Sequence, residues 1–256
     1  MDDYNVIIDK EKCIGCGLCV GDCVGMCLSL NNSKAEINPD RCILCGHCEA
    51  VCPKNAIKLT GFDDVPEEFD EQTRLSPEEL MAAIKTRRSI RQFTDEKIPQ
   101  EVLDKIIEAG RLAPTGSNSQ STGYIVLDKV LPEAEKLSVN MFRGAINMGK
   151  PFAKVLRGIV IDDNFFFKKA PLAIAITGSQ VNASLAAENM AFMAEAYGLG
   201  VLYSGFFTVC ANTNPKIRKL LKMEKKEKVV TTLVLGYPSV KYHRTVRRKN
   251  AKIRKL

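Results

Sequence analysis

Eight cysteines in the first fifth of the chain have the type and spacing of cluster ligands. Two segments each read C-x2-C-x2-C-x3-C, and the second repeats the first at an offset of 29 residues. This is the bacterial spacing for 4Fe-4S clusters, in which the fourth cysteine of each segment binds the other cluster. The sequence therefore predicts two 4Fe-4S clusters. Their ligands are Cys13, Cys16, Cys19 and Cys52 for the first cluster, and Cys42, Cys45, Cys48 and Cys23 for the second.

Zinc is the alternative occupant, because zinc sites also use C-x2-C pairs. One tetrahedral zinc needs two separated pairs, whereas here three cysteines follow at the x2 spacing and a fourth comes after, twice, so iron–sulfur is favoured. Cys27 stands where the second repeat has Ala56, which predicts a small buried side chain and not a ninth ligand. Cys210, far from the other cysteines, is predicted to be a buried bystander.

A second candidate site is the basic segment RRSIRQF that starts at Arg87. In an extended chain Arg87, Ser89 and Arg91 point to one side, and two guanidinium groups with a hydroxyl suit a phosphate. The alternative is that Lys85, Arg87 and Arg88 only complement the negative end of the preceding helix. Neither G-x-G-x-x-G nor G-x-x-x-x-G-K-[ST] occurs, so no Rossmann site or P-loop is predicted.

The elements that must position these residues indicate an α+β or mixed α/β chain with few strands. Ser76, Pro77 and Glu79 form a capping box that begins a helix, with Leu80, Met81 and Ile84 on its apolar face. Further helices are predicted at about 99–112, 183–197 and 215–223, and strands at about 124–127, 172–177, 201 and 229–235.

Charge and composition divide the chain into two domains. Residues 1–75 carry 7 Lys and Arg against 14 Asp and Glu, a net charge of −7, and the whole-chain value of +7 leaves +14 for the remainder. Residues 61–75 lack an apolar period and are predicted to be an acidic linker. The predicted domains are therefore 1–60 and 76–256, joined by this linker.

Two resemblances follow from these motifs. Residues 4–60 resemble a two-cluster bacterial ferredoxin, on the two cysteine segments. Residues 76–250 resemble the nitroreductase superfamily of FMN flavoproteins, on the segments RRSIRQF, APTGSNSQ, AENMAFMAEAYGLG and LGYPSVKYHRTVRRK taken in order. Together they imply a small ferredoxin-like domain followed by a mixed sheet with flanking helices, in a dimer.

The nitroreductase resemblance also implies which residues bind FMN. The arginine segment would contact the phosphate, the ribityl chain and the pyrimidine edge, a turn from the neighbouring subunit would reach the flavin, and an arginine near the C-terminus would complete the phosphate site. By position these residues are Arg87, Arg88, Ser89, Arg91, Pro114, Thr115, Gly116, Asn118, Ser204, Gly205, Arg248 and its runner-up Arg247. No catalytic residue is assigned. The chain has no tryptophan, so it departs from the Gln-Pro-Trp that many members carry after the turn.

The implied activity is an FMN-dependent, nitroreductase-like oxidoreductase that passes electrons from the clusters to FMN and on to a small electron-poor acceptor, a nitroaromatic or a quinone. Reduced ferredoxin or a similar low-potential protein is the expected donor, with NAD(P)H as the alternative. A second hypothesis is an electron carrier between redox proteins with no small substrate of its own. Residues 139–169 are where the family varies its substrate-lining helices, and Phe165, Phe166 and Phe167 could stack on a substrate there, although core packing is favoured.

Composition limits the location and the partners. An acidic start without an apolar leader, no run of about 18 apolar residues, and many thiols predict a cytoplasmic protein with no membrane partner. From residue 214 onward the chain carries 15 Lys and Arg against 2 Asp and Glu. Little aromatic interleaving accompanies these charges, so they do not favour a nucleic-acid partner.

Overall fold

A computed structural model describes residues 5–68, 70–153 and 158–256. The first residue of the ferredoxin-like stretch, one residue of the predicted linker and four residues of the 139–169 region lie outside the described residues. The chain divides into two compact units. Unit 1 comprises the residues up to Arg74 together with Thr115–Ser119, and unit 2 comprises Leu75–Pro114 and Gln120–Leu256.

Unit 1 is built from two copies of one strand–helix–strand motif. The copies are offset by the 29 residues of the cysteine repeat, and each element of the first coincides with one of the second. The first copy is β1 (Asn5–Ile8), α1 (Leu18–Gly21) and β2 (Leu28–Asn31); the second is β3 (Lys34–Ile37), α2 (His47–Ala50) and β4 (Ile57–Thr60).

The two copies pair with each other. β1 runs antiparallel to β4, and β2 runs antiparallel to β3, so each strand is hydrogen-bonded to a strand of the other copy. The core repeats as well, since buried Val6 and Leu28 correspond to buried Ala35 and Ile57. This pairing between the copies brings cysteines of the two segments next to each other.

Unit 2 is a four-stranded antiparallel sheet between two layers of helices. The order of the strands is β5-β6-β8-β7, and all residues of β6 are buried. Its strands are β5 (Gly123–Leu127), β6 (Leu172–Thr177), β7 (Gly200–Tyr203) and β8 (Val229–Gly236). Its helices are α3 (Pro77–Thr86), α4 (Gln100–Arg111), α5 (Leu131–Gly149), α6 (Gln180–Ala196), α7 (Gly205–Thr213) and α8 (Pro215–Leu220).

Alternation along β6 explains the layers, because successive side chains of a strand point to opposite faces. Ala173 and Ala175 pack with α5, α7 and α8, while Leu172, Ile174 and Ile176 pack with α4 and α6. The predicted strands and helices are confirmed within three residues at each end. Helices α5 and α7 were not predicted.

Helix α3 begins at the predicted capping box, but its apolar face is not packed against the core as expected. The capping box is present, with the Ser76 hydroxyl accepting from the Glu79 N–H and the Glu79 carboxylate accepting from the Ser76 N–H. Leu80, Met81 and Ile84, the expected apolar face, are exposed. No described residue of the chain covers this face. The periodic spacing of the apolar residues therefore predicted the face correctly but not its packing in the core.

Phe166 and Phe167 are almost fully buried in the core beside α5 and α7, which confirms core packing for both. Cys210 is buried in the same core as predicted, and burial raises the pKa of its thiol to about 11. Among the helices of the described residues, none combines the length and the apolar character that crossing a membrane requires.

Candidate functional site

Each set of four predicted cluster ligands lines its own cavity in unit 1. The first is lined by Cys13, Cys16, Cys19 and Cys52, and the second by Cys42, Cys45, Cys48 and Cys23. In each cavity the fourth cysteine comes from the other copy of the motif, because the strands of the two copies pair with each other.

The cavity walls suit a cluster. Apart from the thiols they are mostly apolar, with Ile14, Leu30 and Ile57 on the first and Val6, Ile37 and Leu59 on the second among others, while Lys54 also lines the first and His47 the second. A 4Fe-4S cluster is bound by four thiolates, and its potential responds to solvent exposure and to hydrogen bonds at its sulfurs. Among the described residues, no group of three or more His, Cys, Asp or Glu side chains is arranged to hold a single metal ion, so the cluster prediction rests on the cysteine spacing and on the shared cavities. Cys27 is buried and also lines the second cavity.

Backbone N–H groups point at the ligand sulfurs in the same way in both copies. The N–H of Cys27 donates to Cys23 Sγ, and the N–H of Ala56 donates to Cys52 Sγ, each at 3.3 Å. Cys27 and Ala56 occupy equivalent positions of the repeat, so this role needs only the backbone and accepts either side chain. Each cavity therefore has a backbone donor at one of its cysteine sulfurs.

The surroundings of Cys13 also favour a thiolate. N–H groups of Ala35 and Gly15, followed by the positive charges of Lys34 and Lys10, hold the pKa of Cys13 below its usual value against the effect of burial. Burial has the opposite effect on Cys48 and raises the pKa of that thiol to about 11. The ligands therefore differ in how readily they lose their protons.

The two cavities differ in exposure. Cys16 is exposed, whereas Cys45, its counterpart in the repeat, is half-buried. Ile14 is likewise exposed, and its counterpart Ile43 is half-buried. Exposure therefore differs by position: the first site has one exposed ligand, Cys16, but its Cys13 and Cys19 are buried, whereas their counterparts Cys42 and Cys48 are half-buried.

In unit 2 the arginine segment lies between β7 and the chain that follows β8. Ser89 bridges to Val201, and the N–H of Ile90 donates to Val201 O at 2.9 Å. Farther along, the N–H of Ser239 donates to Gln92 O at 3.0 Å. The segment is extended, as the phosphate hypothesis requires, and it neighbours the start of the basic C-terminal stretch.

Arg87 is already partnered by acidic and aromatic side chains. Its Nε lies 3.3 Å from Glu188 Oε1, and its guanidinium lies 5.7 Å from the ring centre of Tyr203. The Tyr203 hydroxyl donates to Glu188 Oε2 at 2.8 Å, and burial with this carboxylate raises the pKa of Tyr203. Burial also raises the pKa of Glu195, which the charge of Arg87 opposes. Arg87 is therefore a weaker candidate for a phosphate than its spacing suggested.

The Arg88 guanidinium binds backbone carbonyl groups and not an anion. Its Nη1 donates to the carbonyls of Lys85 and Arg87, and its Nη2 donates to Arg244 O at 3.1 Å. Its Nε is buried and has no hydrogen-bond partner among the described residues. Arg88 thereby ties the C-terminal basic stretch, which includes Arg247, to the arginine segment.

Three predicted arginines remain available for an anion. Arg91, Arg247 and Arg248 are exposed, and in residues 70–153 and 158–256 no hydrogen bond or ion pair engages their guanidinium groups. An arginine remains charged at all ordinary pH values and can bind a phosphate through two parallel N–H groups. These three side chains are the better candidates for the phosphate.

Ser204 and Gly205 lie where β7 passes into α7. The Ser204 hydroxyl is buried and donates to Phe166 O at 3.0 Å, while Gly205 is exposed as the first residue of α7. Phe206 follows with 60% of its surface exposed, and its ring lies 5.7 Å from Phe142 and 5.9 Å from Phe165. An exposed aromatic surface thus begins beside Gly205.

The structure divides the turn that was predicted to reach the flavin. Pro114 belongs to unit 2, but Thr115, Gly116 and Asn118 belong to unit 1. The Asn118 side-chain amide donates to Ile43 O at 3.1 Å and to Leu44 O at 2.8 Å. Residues 115–119 thus belong to unit 1, where this amide contacts the loop between Cys42 and Cys45.

Comparison with protein families bears out the resemblance on which these residues were chosen. The model of the nitroreductase family matches residues 84–237. The chain belongs to the nitroreductase family. A 4Fe-4S binding domain matches residues 35–58, which contain the second cysteine segment. The predicted α+β fold and the class of activity, a nitroreductase-like oxidoreductase with a 4Fe-4S motif, are confirmed.

Individual relatives agree with this assignment. A putative NADH dehydrogenase/NAD(P)H nitroreductase of Methanothermobacter thermautotrophicus is 28% identical over 65% of this chain and 81% of its own length. An iodotyrosine deiodinase 1 of Rattus norvegicus is 27% identical over 66% of each chain. The crystal structure of a Bacteroides fragilis nitroreductase with bound FMN has a TM-score of 0.56 and 23% identity, over 69% of this chain and 99% of that one. This last similarity shows the fold.

Sequence reasoning missed several residues around these sites. Glu188 and Glu195 lie seven residues apart on α6, close to two turns of a helix, and this spacing was a signal that both could reach Arg87. Phe206 follows the predicted Ser204–Gly205 pair directly, but its exposure could not be known from sequence. No sequence signal connected Asn118 to the second ligand loop.

Gly15 provides a test of the first cavity. A Cβ at Gly15 would lie 2.1 Å from Ser33 O, whereas a Cβ at Gly17 would lie 3.7 Å from its nearest neighbour. Both glycines have positive φ, so substitution by alanine costs about 1–2 kcal/mol at either position, because a residue with a Cβ is unfavourable in this backbone conformation. We expect Gly15→Ala to lower the iron bound per chain clearly, and Gly17→Ala to keep most of it. Equal iron contents in the two purified variants would contradict this close approach.

Proposed function

We propose that this nitroreductase-family protein passes electrons from two 4Fe-4S clusters to FMN and on to a small electron-poor acceptor, of the nitroaromatic or quinone type. The observation that carries the proposal is the pair of cavities, each lined by four cysteines drawn from both copies of the repeat. One family match covers a 4Fe-4S segment and another covers an oxidoreductase domain of the same chain. A chain that joins these two parts can receive single electrons in the cluster-binding part and transfer them in pairs to an acceptor in the oxidoreductase domain.

The clusters are proposed to be held by the two sets of four cysteines named above. Low-potential clusters of the ferredoxin type can lie near −400 mV, which makes onward transfer to a flavin favourable. The exposure of Cys16 favours electron input at the first cluster from a protein donor such as reduced ferredoxin. NAD(P)H is the alternative donor, consistent with the name of the archaeal relative. All ten cysteines are free, which fits a reducing compartment such as the cytoplasm.

FMN is proposed as the second cofactor, as in the structurally similar Bacteroides fragilis protein. When bound, FMN accepts electrons singly and delivers them in pairs. Arg91, together with Arg247 or Arg248, would bind the phosphate of FMN. Ser89, Ser204 and Gly205, which lie around β7, would approach the FMN through their backbone. Arg87 and Arg88 would position the segment. A homodimer is proposed because many family sites are shared between subunits and because α3 leaves its apolar side exposed.

The surface beside Gly205 suits an aromatic acceptor. Phe206, Phe165 and Phe142 form a group of rings in edge or tilted contact, and Lys168 Nζ lies 4.7 Å from the ring centre of Phe165. Planar substrates stack on such rings, and the cation favours electron-rich oxygen substituents. The deiodinase relative also takes its name from an aromatic compound. Reduction of a nitro group to a nitroso group consumes two electrons and two protons and releases water.

Iron analysis of cysteine variants tests the cluster ligands. Cys23→Ala should remove a ligand of the second cluster and lower iron toward half of the wild-type content. Cys27→Ala is the matched control, because Ala56 already occupies the equivalent position and the bond to Cys23 Sγ comes from the backbone N–H. Iron and acid-labile sulfide are measured per chain after anaerobic purification. Two zinc ions and no iron in the wild type would overturn the proposal.

Flavin retention tests the arginine assignment. Arg91→Ala should weaken FMN binding by about 1.5–3 kcal/mol, roughly 10- to 150-fold in Kd, because a charge-assisted contact is removed. Arg87→Ala should cost less, since Glu188 already pairs with Arg87. Arg254→Ala, in the exposed C-terminal stretch, serves as the control. FMN dissociation constants are measured by fluorescence, and equal values for Arg91→Ala and the wild type would contradict the assignment.

Turnover with defined donors tests the electron path in the full chain. Wild-type protein should reduce nitrobenzene or a quinone with reduced ferredoxin under anaerobic conditions. Cys16→Ala should retain FMN and lose most of this activity, while any activity driven by NAD(P)H should remain. Undiminished ferredoxin-driven turnover would show that the clusters are not the route. Reduction of FMN in the wild type without turnover of any small acceptor would instead favour the electron-carrier hypothesis.

A further inference from the structure

The second ligand loop, Ile43–Leu44 between Cys42 and Cys45, depends on a residue far away in sequence. Asn118 donates from one side-chain nitrogen to both carbonyls of this loop, at 3.1 and 2.8 Å. Both partners are acceptors, so only the NH2 group of the amide can face them. The contact lies inside unit 1, to which residues 115–119 belong.

The loop needs this support because Leu44 has a left-handed backbone, with φ of 51°. This conformation is unfavourable for a residue with a Cβ, and it persists only where the surroundings hold it. The equivalent residue of the first loop is Gly15, with φ of 68°, which takes the conformation without cost. The first loop is covered instead by the backbone of Ser33, from the turn between β2 and β3.

The carbonyls that Asn118 binds belong to the peptides whose N–H groups are those of Leu44 and Cys45. In a planar trans peptide the C=O and the N–H point in opposite directions. Holding both carbonyls toward Asn118 therefore turns both N–H groups away from it. Leu44 and Cys45 line the second cavity, and N–H groups near cluster sulfurs stabilise the reduced, more negative cluster.

We propose that Asn118 is a positioning residue for the second 4Fe-4S cluster: its amide orients the Ile43–Leu44 peptides and thereby raises the reduction potential of that cluster. This inference rests on the two-cluster part of the proposed function. It assigns to Asn118 a partner other than the flavin that the family resemblance implied. The second cluster, and not the first, is thus tuned by the turn that connects α4 to β5.

The test is a redox titration of the full-length protein, reconstituted anaerobically with iron and sulfide and followed by electron paramagnetic resonance. Asn118→Asp keeps the shape but places a carboxylate against two carbonyls, and Asn118→Ala removes the donors without adding repulsion. Ser117→Ala is the matched control, from an exposed residue of the same turn. The second cluster is identified as the signal that is lost in Cys45→Ala protein.

With iron content unchanged, we expect the ratio of reduced to oxidised second cluster at a fixed potential to fall about tenfold in Asn118→Asp, a shift of about 59 mV to lower potential. Asn118→Ala should shift in the same direction, and the first cluster and Ser117→Ala should not shift. If Asn118→Asp cannot hold the second cluster, the midpoint of Asn118→Ala decides. Wild-type potentials in both Asn118 variants, or a loss of FMN without a change in potential, would overturn the inference. A wild-type protein without two clusters would instead overturn the proposed function.

Discussion

The antiparallel pairing between the two copies of the strand–helix–strand motif is the constraint on which the cluster domain depends. Because β1 pairs with β4 and β2 with β3, neither copy can close its own cavity. The last cysteine of each copy therefore reaches the cavity of the other. A short sequence with a small core obtains two cysteine-lined sites from one motif, and the burial of Val6 and Leu28 repeats at Ala35 and Ile57. Small domains of this size often need bound metal to complete their stability.

The two halves have nearly the same backbone and different surroundings. The first ligand loop contains a glycine, lies under the Ser33 backbone and leaves Cys16 exposed. The second contains Leu44 in a strained conformation, lies under the Asn118 amide and leaves Cys45 half-buried. The repeat thus places four cysteines at each site in the same way, and the residues that differ between the copies distinguish the two sites. In the proposed two-cluster protein, these differences would give the two clusters unequal surroundings.

In unit 2 the charge of an arginine matters less than its surroundings. Arg87 lies between Glu188 and Tyr203, and Arg88 spends its donors on backbone carbonyls, so neither offers a free guanidinium. Arg91 and the C-terminal arginines remain exposed. The segment between β7 and the chain after β8 therefore has two tasks, with some arginines building the scaffold and others facing solvent. The exposed ring of Phe206 follows Gly205 directly at the start of α7.

The sequence by itself predicted the cluster ligands, the main helices and strands of residues 76–256, and the family. These predictions rest on short-range rules and motifs: the spacing of thiols, the short apolar run that forms β6, the capping box at Ser76, and four segments typical of the nitroreductase superfamily. Family membership also led to the activity class. The tertiary structure alone decided what each candidate side chain contacts. It showed that the apolar side of α3 is exposed, that Glu188 engages Arg87, and that Asn118 binds a loop 74 residues away. Periodicity and motifs report how a residue relates to its neighbours along the chain, whereas hydrogen bonds between distant segments depend on how the whole chain packs.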